Sequence, residues 1–314
     1  MSGAGEQARA TSVGWLRIGT LALRGAGGEP IDFIRTLTSH GVAELPPQVV
    51  DPAAGRLVTT LALGRATAAT IRVRRHGGAL LAVEMLDGGE MATGDRAQLL
   101  DRVRGMFGLD EDLSPFYALA ASDPDLAWST VGAGRMLRAP TVFEDVVKTI
   151  CTTNCAWSGT VRMVTAIVKE LGEPAPDGER AFPDAAGMAS AGESFYRDVA
   201  RAGYRGAYLV RLATEVAEGR LDLEELRDPE MSDGDAGRRL LALPGVGPYA
   251  AAHVMLVSLG RYRQLVLDSW TRPKYASLSG RAAVDHTIER RFRRFGDYAG
   301  LAFWLYVTRD WVED

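Results

Sequence analysis

Residues 241–270 constrain this chain more than any other stretch. They begin Leu-Ala-Leu-Pro-Gly-Val-Gly-Pro-Tyr, pass through an alanine-rich segment containing His253, and end Leu-Val-Leu-Asp-Ser-Trp. Pro244, Gly245 and Gly247 interrupt a helical pattern that ends near Leu243. Pro248 suits the first position of a new helix, because its φ is already close to helical and the N–H it lacks would have had no partner there. The pattern predicts a helix over 233–243, a tight turn, and a second helix from Pro248.

Such a turn leaves the first N–H groups of the second helix without carbonyls, and glycine lets a partner approach the backbone closely. The N–H groups of Val246, Gly247 and the following turn are therefore expected to be free, a good match for a phosphate. On DNA such contacts dock the protein without reading sequence. An ordinary antiparallel helix pair would share the turn, so the hairpin does not by itself decide function. Past it, the apolar run Leu265-Val266-Leu267 delivers Asp268, with Trp270 and Pro273 following. Aspartate caps helices well, so this carboxylate can be a cap, a reactive group, or both.

The net charge of −4 argues on its face against a nucleic-acid partner. Distribution matters more. Residues 261–295 hold nine basic side chains (Arg261, Arg263, Arg272, Lys274, Arg281, Arg290, Arg291, Arg293, Arg294) against the acids Asp268, Asp285 and Glu289. Arg261, Arg263 and Lys274, close to the hairpin and aspartate, are the candidates for phosphate contacts. Arg290 to Arg294 read equally well as a solvated helix face.

Other features narrow the class. The 46% hydrophobic and 24% charged composition is that of an ordinary globular protein, and no apolar run is long enough to span a membrane. Residues 1–10 read as a disordered tail rather than a secretory signal, giving an expected cytoplasmic, nucleoid-associated location. Cys151 and Cys155 are four apart, too few ligands for a zinc site and not expected to pair in a reducing cytosol, so neither a metal nor a cofactor is expected.

The fold expected is α+β. Within residues 11–135, alternating segments at 15–23, 31–37, 57–63, 70–75 and 80–86 predict five strands of a largely antiparallel sheet, with a helix at 97–107. Residues 136–314 read as all-helical. Thr141 with Glu144 has capping-box spacing ahead of a helix that pauses near Asn154, and later segments include 157–170, 207–218 and 297–308.

Hairpin, glycine-rich turn and following aspartate together resemble the helix-hairpin-helix (HhH-GPD) DNA glycosylase superfamily. Ile150-Cys151-Thr152-Thr153-Asn154, Gly203-Tyr204-Arg205 and Tyr298-Ala299-Gly300 extend the likeness to its 8-oxoguanine branch, over roughly residues 100–310. Bacterial 3-methyladenine glycosylases are similar too. The resemblance implies that Asp268 is catalytic, that Asn154 fills the space left by an extruded nucleotide, and that Tyr204, with Arg205 beside it, wedges into the base stack. Tyr249 and His253, four apart on one helical face, stand where relatives carry a nucleophilic lysine and a base-contacting residue. Gly159 and Phe303 replace that branch's arginine and glutamine readers, which puts 8-oxoguanine in doubt and makes Tyr249, His253 and Phe303 the candidate substrate contacts. The four-cysteine iron–sulfur cluster of some relatives has no counterpart after Cys155.

The resemblance therefore implies a monomeric, monofunctional glycosylase acting on double-stranded damaged DNA, with alkylated purines expected over oxidised ones as the base removed. The alternatives are a non-catalytic protein of the same fold that recognises distorted DNA, and an assembly module of a repair complex.

Overall fold

A computed structural model describes residues 14–64, 67–86 and 93–312; the tail expected at 1–10 lies outside them. The N-terminal part is a five-stranded antiparallel sheet of order β1-β5-β4-β3-β2, formed by β1 Trp15–Ala22, β2 Val49–Asp51, β3 Arg56–Gly64, β4 Thr67–Arg75 and β5 Leu80–Leu86. On one face Leu57 lies opposite Val73 and Leu61 opposite Ala69. The helix Thr93–Met106 covers this core with Leu99, Val103 and Met106, all buried.

One expected strand is wrong. Residues 31–37 form a short helix, Phe33–Leu37, because the Asp32 carboxylate accepts the Arg35 N–H at 3.0 Å and starts a turn. The remaining strand is Val49–Asp51, inside a segment that reads as a proline- and glycine-rich turn.

From Ser114 on, the regular elements are helices. The helix Val142–Thr152 starts at Thr141, whose side chain accepts the Glu144 N–H at 3.2 Å, and Trp157–Leu171 resumes after the break at Asn154. The hairpin consists of Asp233–Leu241 and Pro248–Val257. Residues 250–257 are all buried, as a helix apolar on every side must be. Ala250, Ala251, Val254 and Met255 join a core with Val142–Thr152 and Arg205–Ala217, whereas Ala252 and Leu256 join a second core with the last helix, Ala299–Thr308. That second core also takes in Leu113, Phe116 and Met136, which precede or straddle the boundary drawn at 135/136. The doubly packed helix thus sets the position of its own N-terminus, where the turn and Tyr249 lie.

Contacts between the N-terminal part and the helices are polar as well as apolar. Lys148, 1% exposed, pairs with Glu144 at 2.7 Å and donates to the Leu45 carbonyl at 3.1 Å and to Gln48 Oε1. Trp304 Nε1 donates to the Ser39 carbonyl at 2.8 Å, and Leu137 N to Ser39 Oγ at 2.9 Å. No helix among the described residues is long and apolar enough to cross a membrane.

Candidate active site

The hairpin turn combines a strained glycine with an open one. Gly245 has φ +80°, and a Cβ there would meet Tyr208 Cδ2 at 2.7 Å. Gly247, at φ −99° and ψ −175°, has nothing within 4 Å of where its Cβ would be, and no side chain caps the helix it begins. The N–H of Val246 is not free: it donates to the Leu243 carbonyl at 3.2 Å, and the Val246 side chain is buried. The donors left for a phosphate are those at and after Gly247, where a helix lacks preceding carbonyls.

Asp268 lies ahead of the helix Thr271–Ser279. Its Oδ1 accepts the N–H of Trp270 at 2.8 Å and of Thr271 at 2.6 Å, while its own N–H donates to Thr271 Oγ1 at 2.9 Å. Thr271, fully buried, donates a hydrogen bond from its hydroxyl to the Val266 carbonyl at 2.9 Å. Oδ2 has no hydrogen-bond partner among the described residues. Asp268 is therefore a cap, with one oxygen left for other work.

A cleft of about 690 Å³ brings Asp268 together with the hairpin turn, Tyr249, Asn154 and Tyr204. Tyr249 is partly buried, its hydroxyl 3.3 Å from Thr152 Oγ1; burial, reinforced by the charge of Asp268, pushes its phenol pKa up. His253 is absent from the cleft lining. It sits behind Tyr249, ring centroids 5.9 Å apart, with Nδ1 3.3 Å from Thr149 Oγ1. Its edge meets His40 at 5.9 Å. Burial lowers His253 to about 4 and His40 to about 3. His40 must be the neutral Nε2–H tautomer, since Nε2 lies 2.8 Å from the Leu137 carbonyl and Nδ1 accepts the Ala43 N–H at 3.2 Å.

Asn154 and Tyr204 stand next to each other. Asn154, at φ +46°, donates from Nδ2 to the Tyr204 hydroxyl at 3.1 Å, and that bond holds the phenol pKa below its ordinary value. Tyr204 is half exposed, as a wedge needs, and meets Tyr208 edge to face at 5.9 Å. Arg205 differs from expectation. Only 6% exposed, it donates to the Thr153 and Ala202 carbonyls and lies 4.7 Å from the Tyr204 ring, so it ties the two loops together from inside.

Four more expectations are corrected. Phe303 has no exposed surface and packs on Phe292 at 5.4 Å and Tyr275 at 6.4 Å, in the core rather than a substrate pocket. Arg261 is committed to Asp233 at 2.8 Å and to the carbonyls of Leu226 and Asp228. Lys274 pairs with Asp310 at 2.5 Å. Arg263 is exposed, 3.6 Å from Asp297, and does not line the cleft. The basic excess of 261–295 is local to the sequence: Arg291 and Arg294 also find acids elsewhere, in Asp125 and Asp123. Among the described residues Arg272 is the one Lys or Arg of the lining; it was counted in the basic excess but not among the phosphate-contact candidates, although it lies closer to Asp268 in sequence than Lys274 does.

A scan against models of known protein families finds no match. A DNA-3-methyladenine glycosylase of Bacillus subtilis (strain 168) is 25% identical over 167 residues, 51% of this chain and 54% of that protein, so the chain spans about half the length of this curated relative. Among solved structures, the 3-methyladenine DNA-glycosylase from Archaeoglobus fulgidus superposes with a TM-score of 0.70 at 19% identity, covering 94% of this chain and 100% of that one. The 8-oxoguanine glycosylase/lyase of Clostridium acetobutylicum, in complex with double-stranded DNA containing cytosine opposite 8-oxoG, gives 0.68 at 21%, covering 89% and 92%. The sequence match and the two superpositions support the likeness of this chain to the helix-hairpin-helix (HhH-GPD) DNA glycosylase superfamily, with which it shares its fold.

Proposed function

We propose that the chain is a monofunctional DNA glycosylase of base-excision repair, acting as a monomer on damaged duplex DNA. It extrudes an alkylated purine and hydrolyses its N-glycosidic bond, leaving an abasic site. The observation that carries this reading is Asp268, held at the cleft by two backbone donors on Oδ1 with Oδ2 uncommitted among the described residues. As the glycosidic bond breaks, the deoxyribose gains oxocarbenium character, and a fixed carboxylate stabilises that charge without having to reorganise. The same oxygen is available to orient the attacking water.

Hydrolysis without strand cleavage is supported by where the lysines are. The chain has Lys148, Lys169 and Lys274. The first is buried, the third is paired with Asp310, and none lines the cleft, where Tyr249 follows Pro248. Tyrosine forms no Schiff base, so borohydride should trap no DNA adduct. A cationic alkylated purine over the Tyr249 ring gains roughly 0.5–2 kcal/mol from the ring quadrupole, which a neutral oxidised purine does not. With Phe303 in the core, the preference rests on Tyr249 and on the names of the Bacillus and Archaeoglobus relatives.

The test is base release from duplexes carrying 3-methyladenine, 7-methylguanine, hypoxanthine, ethenoadenine, 8-oxoguanine or uracil, by wild type and Asp268→Asn. The asparagine keeps an oxygen for the Trp270 and Thr271 N–H groups, so the turn survives. Release of methylated purines should fall on the order of 10²–10³-fold, with duplex affinity kept. Undiminished release by the folded variant refutes the role of Asp268. Binding to damaged duplex without release of any base by wild type favours the non-catalytic reading.

A further inference from the structure

Docking DNA at this cleft has an electrostatic difficulty: a polyanion must approach the Asp268 carboxylate. Arg272 is the one cationic side chain of the lining, on the first turn of the helix Thr271–Ser279, its backbone N–H 3.4 Å from the Asp268 carbonyl. Its guanidinium is oriented by Asp285. Asp285 accepts from Nε at 2.7 Å and from Nη2 at 2.9 Å, a two-point grip that fixes the plane of the group. Nη1 has no hydrogen-bond partner among the described residues, and about a third of the side chain is exposed.

We infer that Arg272 is a phosphate clamp, taking one backbone phosphate of the bound strand on its free Nη1 edge beside Asp268. The inference rests on the reading of the cleft as a DNA site. Asp285 leaves the arginine's outward N–H groups vacant while preventing the guanidinium from swinging onto Asp268, which would quench the carboxylate. A partly exposed pair of this kind contributes little to folding, so its substitution should be tolerated.

The experiment is fluorescence anisotropy with a labelled duplex containing a tetrahydrofuran abasic site, titrated between about 50 and 200 mM KCl. A single lost phosphate contact lowers the slope of log K against log salt by about 0.9, so Arg272→Met should lose about 3.5-fold less affinity than wild type across that range. Undamaged duplex should show the same change, because a phosphate carries no lesion information. Arg272→Lys keeps the charge and should keep the slope while binding more weakly. An unchanged slope in folded Arg272→Met overturns the clamp and leaves the cleft reading standing. Wild-type binding that is insensitive to salt overturns both. If circular dichroism finds Met and Lys variants alike unfolded, the arginine is a structural partner of Asp285 and the clamp is again overturned.

Discussion

Asp268 and Thr271 are hydrogen-bonded to each other in both directions, backbone N–H to side-chain oxygen each way, at 2.9 and 2.6 Å. The reciprocal pair fixes the side chain of Asp268 through a residue with no exposure to the cleft.

Thr271→Val keeps the shape but strands the Asp268 N–H and loosens the carboxylate. Misplacing a reacting group costs up to about 10²-fold, so base release should slow by about 10- to 100-fold with duplex affinity unchanged. Thr271→Ser retains both bonds and should restore the rate. Equal losses in the two variants would mark the hydroxyl as irrelevant to Asp268.

The two hairpin glycines should respond differently. Gly245→Ala forces a Cβ into the left-handed region and onto Tyr208, so it should lower stability on the order of 1–2 kcal/mol. Gly247→Leu meets no protein atom within 4 Å of its Cβ and should leave the melting temperature near wild type. Its side chain stands instead where a phosphate approaches, so damaged and undamaged duplexes should bind about equally less well. Loss confined to damaged duplex would contradict a phosphate-docking hairpin.

Tyr204→Ala should impair extrusion more than general binding. Base–aromatic stacking is worth roughly 1–3 kcal/mol, which corresponds to about 5- to 160-fold in the rate of base release. Stopped-flow fluorescence of 2-aminopurine beside the lesion reads the extrusion step, and anisotropy with undamaged duplex reads the rest. Equal effects on both would count against a wedge.

Acid should destabilise the fold through its histidine pair. In the unfolded chain His40 and His253 take up protons below about 6.5, whereas in the folded protein they stay neutral down to about 3 and about 4. The unfolded state therefore binds more protons between these limits, so stability is complete above pH ~6.5 and declines as pH falls. At pH 5 the deficit is about 2 kcal/mol per histidine. Urea midpoints for wild type and His40→Gln at pH 7.5 and 5 should converge as the pH drops; parallel losses would exclude His40 as a source.

The hairpin and the capping position of Asp268 are legible because each depends on local chemistry: glycine and proline punctuate a turn, and an aspartate after an apolar run starts the next helix. The missed features depend on packing. Whether an arginine faces solvent, a carbonyl or a distant acid is decided by the fold, so Arg205 and Arg261 read as DNA contacts although they are internal ties, and Arg272 passed as one charge among nine. Phe303 stands at the reader's place in the sequence, but spacing carries no information on burial, and the side chain is in the core. The strand expected at 31–37 failed for a local reason: Asp32 caps a helix there, overriding the alternation that follows it.

Lys148 constrains how this protein can be trimmed. The residue belongs to the helical half, yet two of its three partners, the Leu45 carbonyl and Gln48, belong to the sheet half. A fragment cut at 135/136 would keep every residue of the cleft lining and still leave an ammonium in its core with Glu144 alone, besides exposing the flank of His253 that His40 covers. The sheet half, which contributes no residue to the cleft lining, therefore supplies the polar partners of a charge buried in the helical half.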